Sequence, residues 1–147
     1  MGAYLSLSGS DSTFGTDTRD GIALAVDELN ASGGVRGKKV KVFYEDDKSM
    51  PQEASNKVRQ LIDRDKVVAV LGEVASSRSL AGGLIANTKR VPMITPSSTA
   101  VEVTKDREYV FRSCFTDAQQ RHLTARRGLA PEQVRVLTVS EKSDAYG

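Results

Sequence analysis

The sequence predicts an α/β fold, a doubly wound parallel sheet in a three-layer, flavodoxin-like arrangement, and three observations point there. Strand-like and helix-like patterns alternate from one end of the chain to the other with short loops between them, the signature of a parallel sheet with helical crossovers. The run "VVAVLG" (67–72) is apolar throughout, without the alternation of a half-exposed strand, as suits a central parallel strand covered on both faces. Asn30 with Gly33 and Gly34, and Pro51, mark where one pattern stops and the next begins.

Taken in order, "AYLSLS" (3–8) reads as a first strand, broken by a Gly-, Ser- and Asp-rich loop over 9–16. "TRDGIALAVDELN" follows with Ile22, Val26 and Leu29 at helical spacing, and Asn30 with the pair Gly33 and Gly34 stops it. "KVKVFYED" alternates Val40, Val42 and Tyr44 with Lys41 and Phe43 and makes a second strand. Pro51 opens the next helix where a missing N–H costs nothing, and Ala54, Val58, Leu61 and Ile62 form its apolar stripe. After 67–72 comes a helix carrying Leu80, Leu84 and Ile85, then strands at "VPMIT" (91–95) and "YVFRSCF" (109–115). The last repeat is a helix around 123–129, thin in apolar residues and carrying Arg121, Arg126 and Arg127, and a strand at 134–139.

In sheets of this kind ligands bind beyond the carboxyl ends of the strands, near the point where the strand order reverses. The loops to search are therefore 9–16, 45–50, 73–79, 96–100, 116–120 and 140–147. At 147 residues the chain is one domain of ordinary size, able to bury roughly 70% of the surface its unfolded form exposes. The 21 basic residues against 19 acidic ones leave no basic excess, so nucleic acid is a poor partner, and no apolar run is long enough to span a membrane. One cysteine, Cys114, and one histidine, His122, cannot build a zinc site or an internal disulfide; Cys114 reads as a strand core residue and His122 as a solvated helix residue. The chain begins Met-Gly-Ala and enters a strand at once, which reads either as a cytosolic protein or as one whose leader has been removed.

Nucleotide and hydrolase motifs are missing: there is no P-loop, no GxGxxG and no GxSxG elbow, so no cofactor is expected. Asp46 and Asp47 after the second strand could serve a phosphoacceptor or magnesium site, but such a site also wants acids after the first strand and a late lysine, so the pair reads as a turn that favours the next helix start. The hydroxyl loops are more informative. "GEVASSRSLAGG" (72–83) places Ser76, Ser77 and Ser79 at the start of a helix, and "TPSSTA" (95–100) places Ser97, Ser98 and Thr99 after the neighbouring strand. Helix capping accounts for either loop alone. Together, two such loops offer hydroxyls and helix N–H groups to a carboxylate and carbonyls to an ammonium, the two ends of a zwitterion.

The order "SLSGSDSTFGTDTRDGIALAVDELNASGGVRGKKVKVFYEDDKSMPQEA", then "GEVASSRS", then "VPMITPSSTA", closely resembles the branched-chain amino-acid (leucine/isoleucine/valine)-binding proteins of ABC importers, two-lobed receptors of the type I periplasmic-binding fold. The resemblance runs through essentially the whole chain and is strongest over 5–118. It implies that Ser76 and Ser77 bind a ligand carboxylate, that Ser97 and Thr99 hold carboxylate and ammonium, that Phe14 covers the ligand, and that Tyr146 of "DAYG" faces it from the start of a second lobe. It also implies an ABC permease as partner and a periplasmic or extracytoplasmic location, against which the missing leader implies a cytoplasmic one for this chain as it stands. Receptors of the family are more than twice this length. On that basis 1–120 is expected to be the first, ligand-binding lobe, and 121–147 the crossover helix and strand that begin the second.

Three functions follow from these readings. The first is a binding lobe for leucine or another branched-chain amino acid, truncated or excised and therefore weak. The second is a flavodoxin-like scaffold in which 121–147 folds back on its own sheet or exchanges with a second copy to give a homodimer. The third is an enzyme on the same architecture, against which stand the missing motifs and the lack of a base beside a nucleophile. Finally, "VKVFYEDDKS" (40–49) and "VRVLTVSEKS" (134–143) share strand, acid and Lys-Ser at matching offsets, as two similar lobes would.

Overall fold

The computed structural model describes residues 1–126, and the expectations for the strand at 134–139 and for Tyr146 lie outside the described residues. Five strands, β1 (Gly2–Leu5), β2 (Phe43–Asp46), β3 (Val70–Leu71), β4 (Met93–Thr95) and β5 (Val110–Arg112), form one sheet in the order β2-β1-β3-β4-β5. All four pairings are parallel. Helices α1 (Ser12–Ala31), α2 (Pro51–Asp63) and α3 (Ser76–Thr88) make the first three crossovers. A 3-10 turn at Val101–Val103 leads into β5, and α4 (Asp117–Arg126) follows it. The expected α/β, doubly wound class is the observed one. The chain steps from β1 outward to β2, then back across β1 to β3. With right-handed crossovers this reversal sends α1 and α2 to opposite faces and opens a switch point between the carboxyl ends of β1 and β3.

Register shows which side of the sheet is well packed. Gly2 pairs with Val70, Val70 with Met93, and Met93 with Val110, so these residues share one face with Tyr4. There Tyr4, Val70 and Met93 pack with Ala54, Val58, Leu61 and Ile62 of α2, Val67, and Ala86 of α3. The stripe expected on α2 is thus the observed one, each large side chain contributing about 1.5–3 kcal/mol when fully buried. Gly2 and Gly82 permit the closeness of the layers: a Cβ at Gly82 would stand 2.4 Å from the Tyr4 hydroxyl.

The other face is less covered. Leu71 pairs with Ile94 and Ile94 with Phe111, and the last two are 39% and 51% exposed. α1 packs loosely as well, with Leu29, expected in its apolar stripe, exposed. α1 also starts at Ser12, inside the loop expected over 9–16, and Gly15 is the reason. A Cβ there would meet the Ser6 carbonyl oxygen at 1.9 Å, so glycine lets the first turn of α1 settle against the end of β1 instead of breaking the helix. The strands are shorter than their patterns: β1 and β5 end before their patterns do, and β2, β3 and β4 begin after theirs. α4 starts at Asp117, ahead of the expected 123–129, with its start marked by the Thr116 N–H donating to Gln119 Oε1 and the Gln119 N–H donating to Thr116 Oγ1.

Candidate functional site

The carboxyl ends of β1, β2 and β3 converge on a buried network of charged and hydroxyl side chains. Glu73, just after β3, is fully buried. Its Oε1 accepts from the Ser6 N–H at 3.0 Å and the Ser6 hydroxyl at 2.8 Å, and its Oε2 accepts from the Ala75 N–H at 2.7 Å. Arg78 of α3 is 1% exposed and, among the described residues, the largest fully buried side chain. Its Nε lies 3.1 Å from Glu73 Oε2, and its guanidinium also donates to Asp11 Oδ2 at 2.5 Å, locking α3 against the loop before α1. Both acids raise the Arg78 pKa although burial alone would lower it.

Asp46 and Asp47 turn out to hold two different things. Asp46 Oδ1 accepts from the N–H groups of Leu7, Ser8 and Lys48, bonds that pull its pKa down against the effect of burial. Asp47 is fully buried, and its Oδ1 accepts from the Ser49 N–H and contacts the Ser6 hydroxyl. Lys48 and Ser49 sit consecutively in the left-handed region at φ 56° and 60°, a strain of about 1–2 kcal/mol each that these two carboxyls offset. The turn reading of the pair is thus the observed geometry, with the addition that Asp47 belongs to the buried network.

The hydroxyl loops sit directly on this base. The Glu73 carbonyl accepts from Thr95 Oγ1 at 2.7 Å and from Ser79 Oγ at 2.9 Å, and Ser98 Oγ lies 2.7 Å from Ser79 Oγ. Ser98 N–H donates to Thr95 Oγ1. Arg112 on β5 donates to the carbonyls of Ser98 and Ala100 at 3.0 and 2.8 Å and pins the loop after β4 from its far side. The two loops are thus tied to each other and to the sheet.

Against this frame the expected site residues separate. Ser76 is 3% exposed and its hydroxyl accepts from the Ala100 N–H at 3.2 Å, so it ties the two loops together. Ser77 stands in the first turn of α3 with its Oγ buried and unpartnered among the described residues. Helix capping does not explain these serines: the N-cap position is Ala75, and it makes no side-chain cap bond. Ser97 is half-buried and Thr99 is 8% exposed. Phe14, on the first turn of α1, is 60% exposed at the carboxyl edge. Cys114 is half-buried with its Sγ donating to the Ser98 carbonyl, and His122 is exposed.

Sequence reasoning missed Glu73, Arg78 and Arg112. A signal was present for the first two: two opposite charges five residues apart in a stretch of otherwise small and apolar residues, at the end of a central strand, have to neutralise each other if both are buried. Among the described residues no cluster of three or more acidic, His or Cys side chains could hold a metal ion, and no helix is long and apolar enough to cross a membrane.

Comparison with known proteins gives a coherent result. The profile of a family described as "Periplasmic binding protein" matches residues 1–139. A Pseudomonas aeruginosa amino acid binding protein is 30% identical over 95% of this chain and 37% of its own length. The Leu/Ile/Val-binding protein BraC3 of Rhizobium johnstonii is 31% identical over 100% of this chain and 40% of its own. Among solved structures, a leucine binding protein from Thermotoga maritima superposes with a TM-score of 0.78 at 39% identity, covering 84% of this chain and 35% of that one. A branched-chain amino acid transporter substrate binding protein from Streptococcus pneumoniae, in complex with isoleucine, gives 0.77 at 38% identity over 80% and 34%. The chain therefore spans about two fifths or less of the length of these relatives.

Proposed function

Because this chain belongs to the periplasmic binding protein family, we propose that it receives the carboxylate and ammonium of a small amino acid, leucine or another branched-chain one, on the hydroxyl loops after β3 and β4. The observation that carries the reading is Ser77, whose buried Oγ in the first turn of α3 has no partner among the described residues. A buried hydroxyl without a partner is costly in a folded protein, and a carboxylate would satisfy it. The N–H groups of the same turn have no acceptor within the helix. A carboxylate seated there gains about 1.5–3 kcal/mol for each charge-assisted hydrogen bond and about 0.3–2 kcal/mol from the helix dipole. Ser97 and Thr99 complete the polar side and Phe14 the apolar one, while Ser76 acts by holding the loops at their spacing. Tyr146 is proposed as a further contact from beyond the described residues.

The remaining contacts to the ligand, an ABC permease as partner and an extracytoplasmic location belong to the same proposal. One lobe supplies about half of the contacts of a two-lobed clamp. If millimolar affinity is retained it corresponds to about −4 kcal/mol. Exposed Ile94 and Phe111 favour a second reading, a chain that covers this face by self-association, with or without ligand function.

An amide NMR titration of the 147-residue chain with L-leucine, L-valine and 4-methylpentanoate, a carboxylate without the ammonium, tests the reading. Saturable shifts at Ser77, Ser97 and Thr99 with the amino acids, weaker with 4-methylpentanoate, are expected. A well-dispersed spectrum that none of the three perturbs rejects it. The oligomeric state of the same sample decides the second reading.

A further inference from the structure

Two fully buried carboxyl side chains, Asp47 and Glu73, meet at one hydroxyl. Ser6 Oγ lies 2.8 Å from Asp47 Oδ1 and 2.8 Å from Glu73 Oε1. A serine hydroxyl has one proton to donate. It satisfies one carboxylate; the other contact then sets lone pair against lone pair, unless that acid brings a proton of its own. We propose that Ser6, Asp47 and Glu73 form a buried proton site, in which Asp47 is a neutral acid donating to Ser6 Oγ while Ser6 donates to Glu73, and that occupancy of this site sets the spacing of the loops after β2 and β3.

The surroundings decide which acid holds the proton. Glu73 is served as a carboxylate on both oxygens, by Ser6 on one and by the Ala75 N–H and Arg78 on the other. Among the described residues Asp47 has only the Ser49 N–H and Ser6 at Oδ1, and its Oδ2 is buried without a partner. An unpaired oxygen is far less costly in a neutral acid than in a carboxylate.

The charges around Asp47 agree. Facing it are Tyr4 of β1, Ser6 just after that strand, Glu73 from the loop after β3, and Arg78 of α3, which in turn holds Asp11 from the loop before α1. One guanidinium thus stands against three acids. Burial first, and Glu73 second, push the Asp47 carboxyl up to about 6, with Ser6, the Ser49 N–H and Arg78 opposing. Loss of the proton breaks the Asp47–Ser6 bond and leaves two buried anions repelling across one hydroxyl. The 47–50 turn then separates from the loop that carries Glu73, Ala75 and Ser76.

Carbon-detected NMR of the side-chain carboxyls of the 147-residue chain, without ligand, tests this over about pH 4 to 8. The Asp47 carboxyl is expected to titrate with a midpoint near 6, with the amides of Ser6, Ser49 and Ala75 following the same midpoint. In Glu73→Gln the Asp47 midpoint falls, because the neighbouring charge is gone. In Asp47→Asn the transition near 6 vanishes from the amides. An Asp47 carboxyl that titrates near its ordinary 3.8, or amides blind to its titration, overturns the proposal in the wild-type chain alone, whatever the variants do. A consequence for amino-acid affinity rests on the function proposed above. A leucine titration without binding removes that consequence and leaves the carboxyl titration standing.

Discussion

Arg78→Met removes the cation from the buried network and keeps most of the aliphatic length. In the folded chain the guanidinium sits 3.1 Å from Glu73 Oε2 and 2.5 Å from Asp11 Oδ2, and it reaches the Ser49 carbonyl at 3.4 Å. The Asp11 side chain is 32% exposed, so that half of the network is screened by water and contributes at most about 1 kcal/mol. Glu73 is different: it is fully buried, and without Arg78 its charge has no cation beside it. Leaving one buried partner uncompensated costs about 3–5 kcal/mol. Against a total stability of about 5–15 kcal/mol this is a large fraction. Glu73→Gln in the same chain removes the stranded charge and keeps one acceptor oxygen for the Ala75 N–H, with an amide N–H that can donate to the Ser6 hydroxyl. The double variant is therefore expected to recover about 1–3 kcal/mol relative to the sum of the single changes. Urea unfolding followed by circular dichroism measures all four corners of the cycle. An Arg78→Met loss under about 1 kcal/mol, or losses that simply add, would show that water reaches Glu73 and that the network does not brace the site.

Gly15→Ala sets a Cβ 1.9 Å from the Ser6 carbonyl and is expected to cost at least about 1–3 kcal/mol by pushing α1 off β1. Gly21→Ala in the same helix meets nothing within 4 Å and is expected to gain about 0.5–1 kcal/mol, so urea midpoints of the pair should move in opposite directions. Ser76→Ala breaks the tie to the Ala100 N–H and lowers stability by about 0.5–1.5 kcal/mol, whereas Ser77→Ala deletes a hydroxyl with no partner among the described residues, leaves stability unchanged or raised and weakens the amino-acid shifts; thermal melts and the NMR titration separate the two. The folded pKa of Asp47, about 6, exceeds its ordinary value of 3.8, so its stabilising contribution is complete below about pH 3.8 and is lost as pH rises through about 6. The stability difference between wild type and Asp47→Asn should therefore change across that window and be flat above it, as urea midpoints at several pH values will read.

Much of this protein is legible locally. The apolar stripe of Ala54, Val58, Leu61 and Ile62 announces α2 and the face it buries, and Pro51 marks its first residue. The all-apolar run at 67–72 announces a strand inside a parallel sheet. Patterns of this kind are set by side-chain periodicity within one segment, so they can be read without knowing what lies across the fold. The position of the hydroxyl loops follows from the same reasoning, because strand-helix alternation places them beyond the carboxyl ends of neighbouring strands. The start of α1 escaped it: glycine at position 15 reads as a loop residue, and only its contact with Ser6 shows that it belongs inside a helix.

The roles within the site were decided by the tertiary structure. Ser76 and Ser77 are adjacent and chemically identical, yet one is held by Ala100, 24 residues away, and the other has no partner among the described residues. Asp46 and Asp47 diverge in the same manner, one serving nearby backbone N–H groups and the other meeting Ser6 and Glu73 beneath the loops. The chain by itself determined the parallel sheet, the two hydroxyl loops and the family to which both belong. Which hydroxyls are tied, and which acids meet at Ser6, depended on partners brought together from α3 and the loops after β1, β2, β3 and β4, because a hydrogen bond is set by distance and direction in space and leaves no periodicity along the sequence.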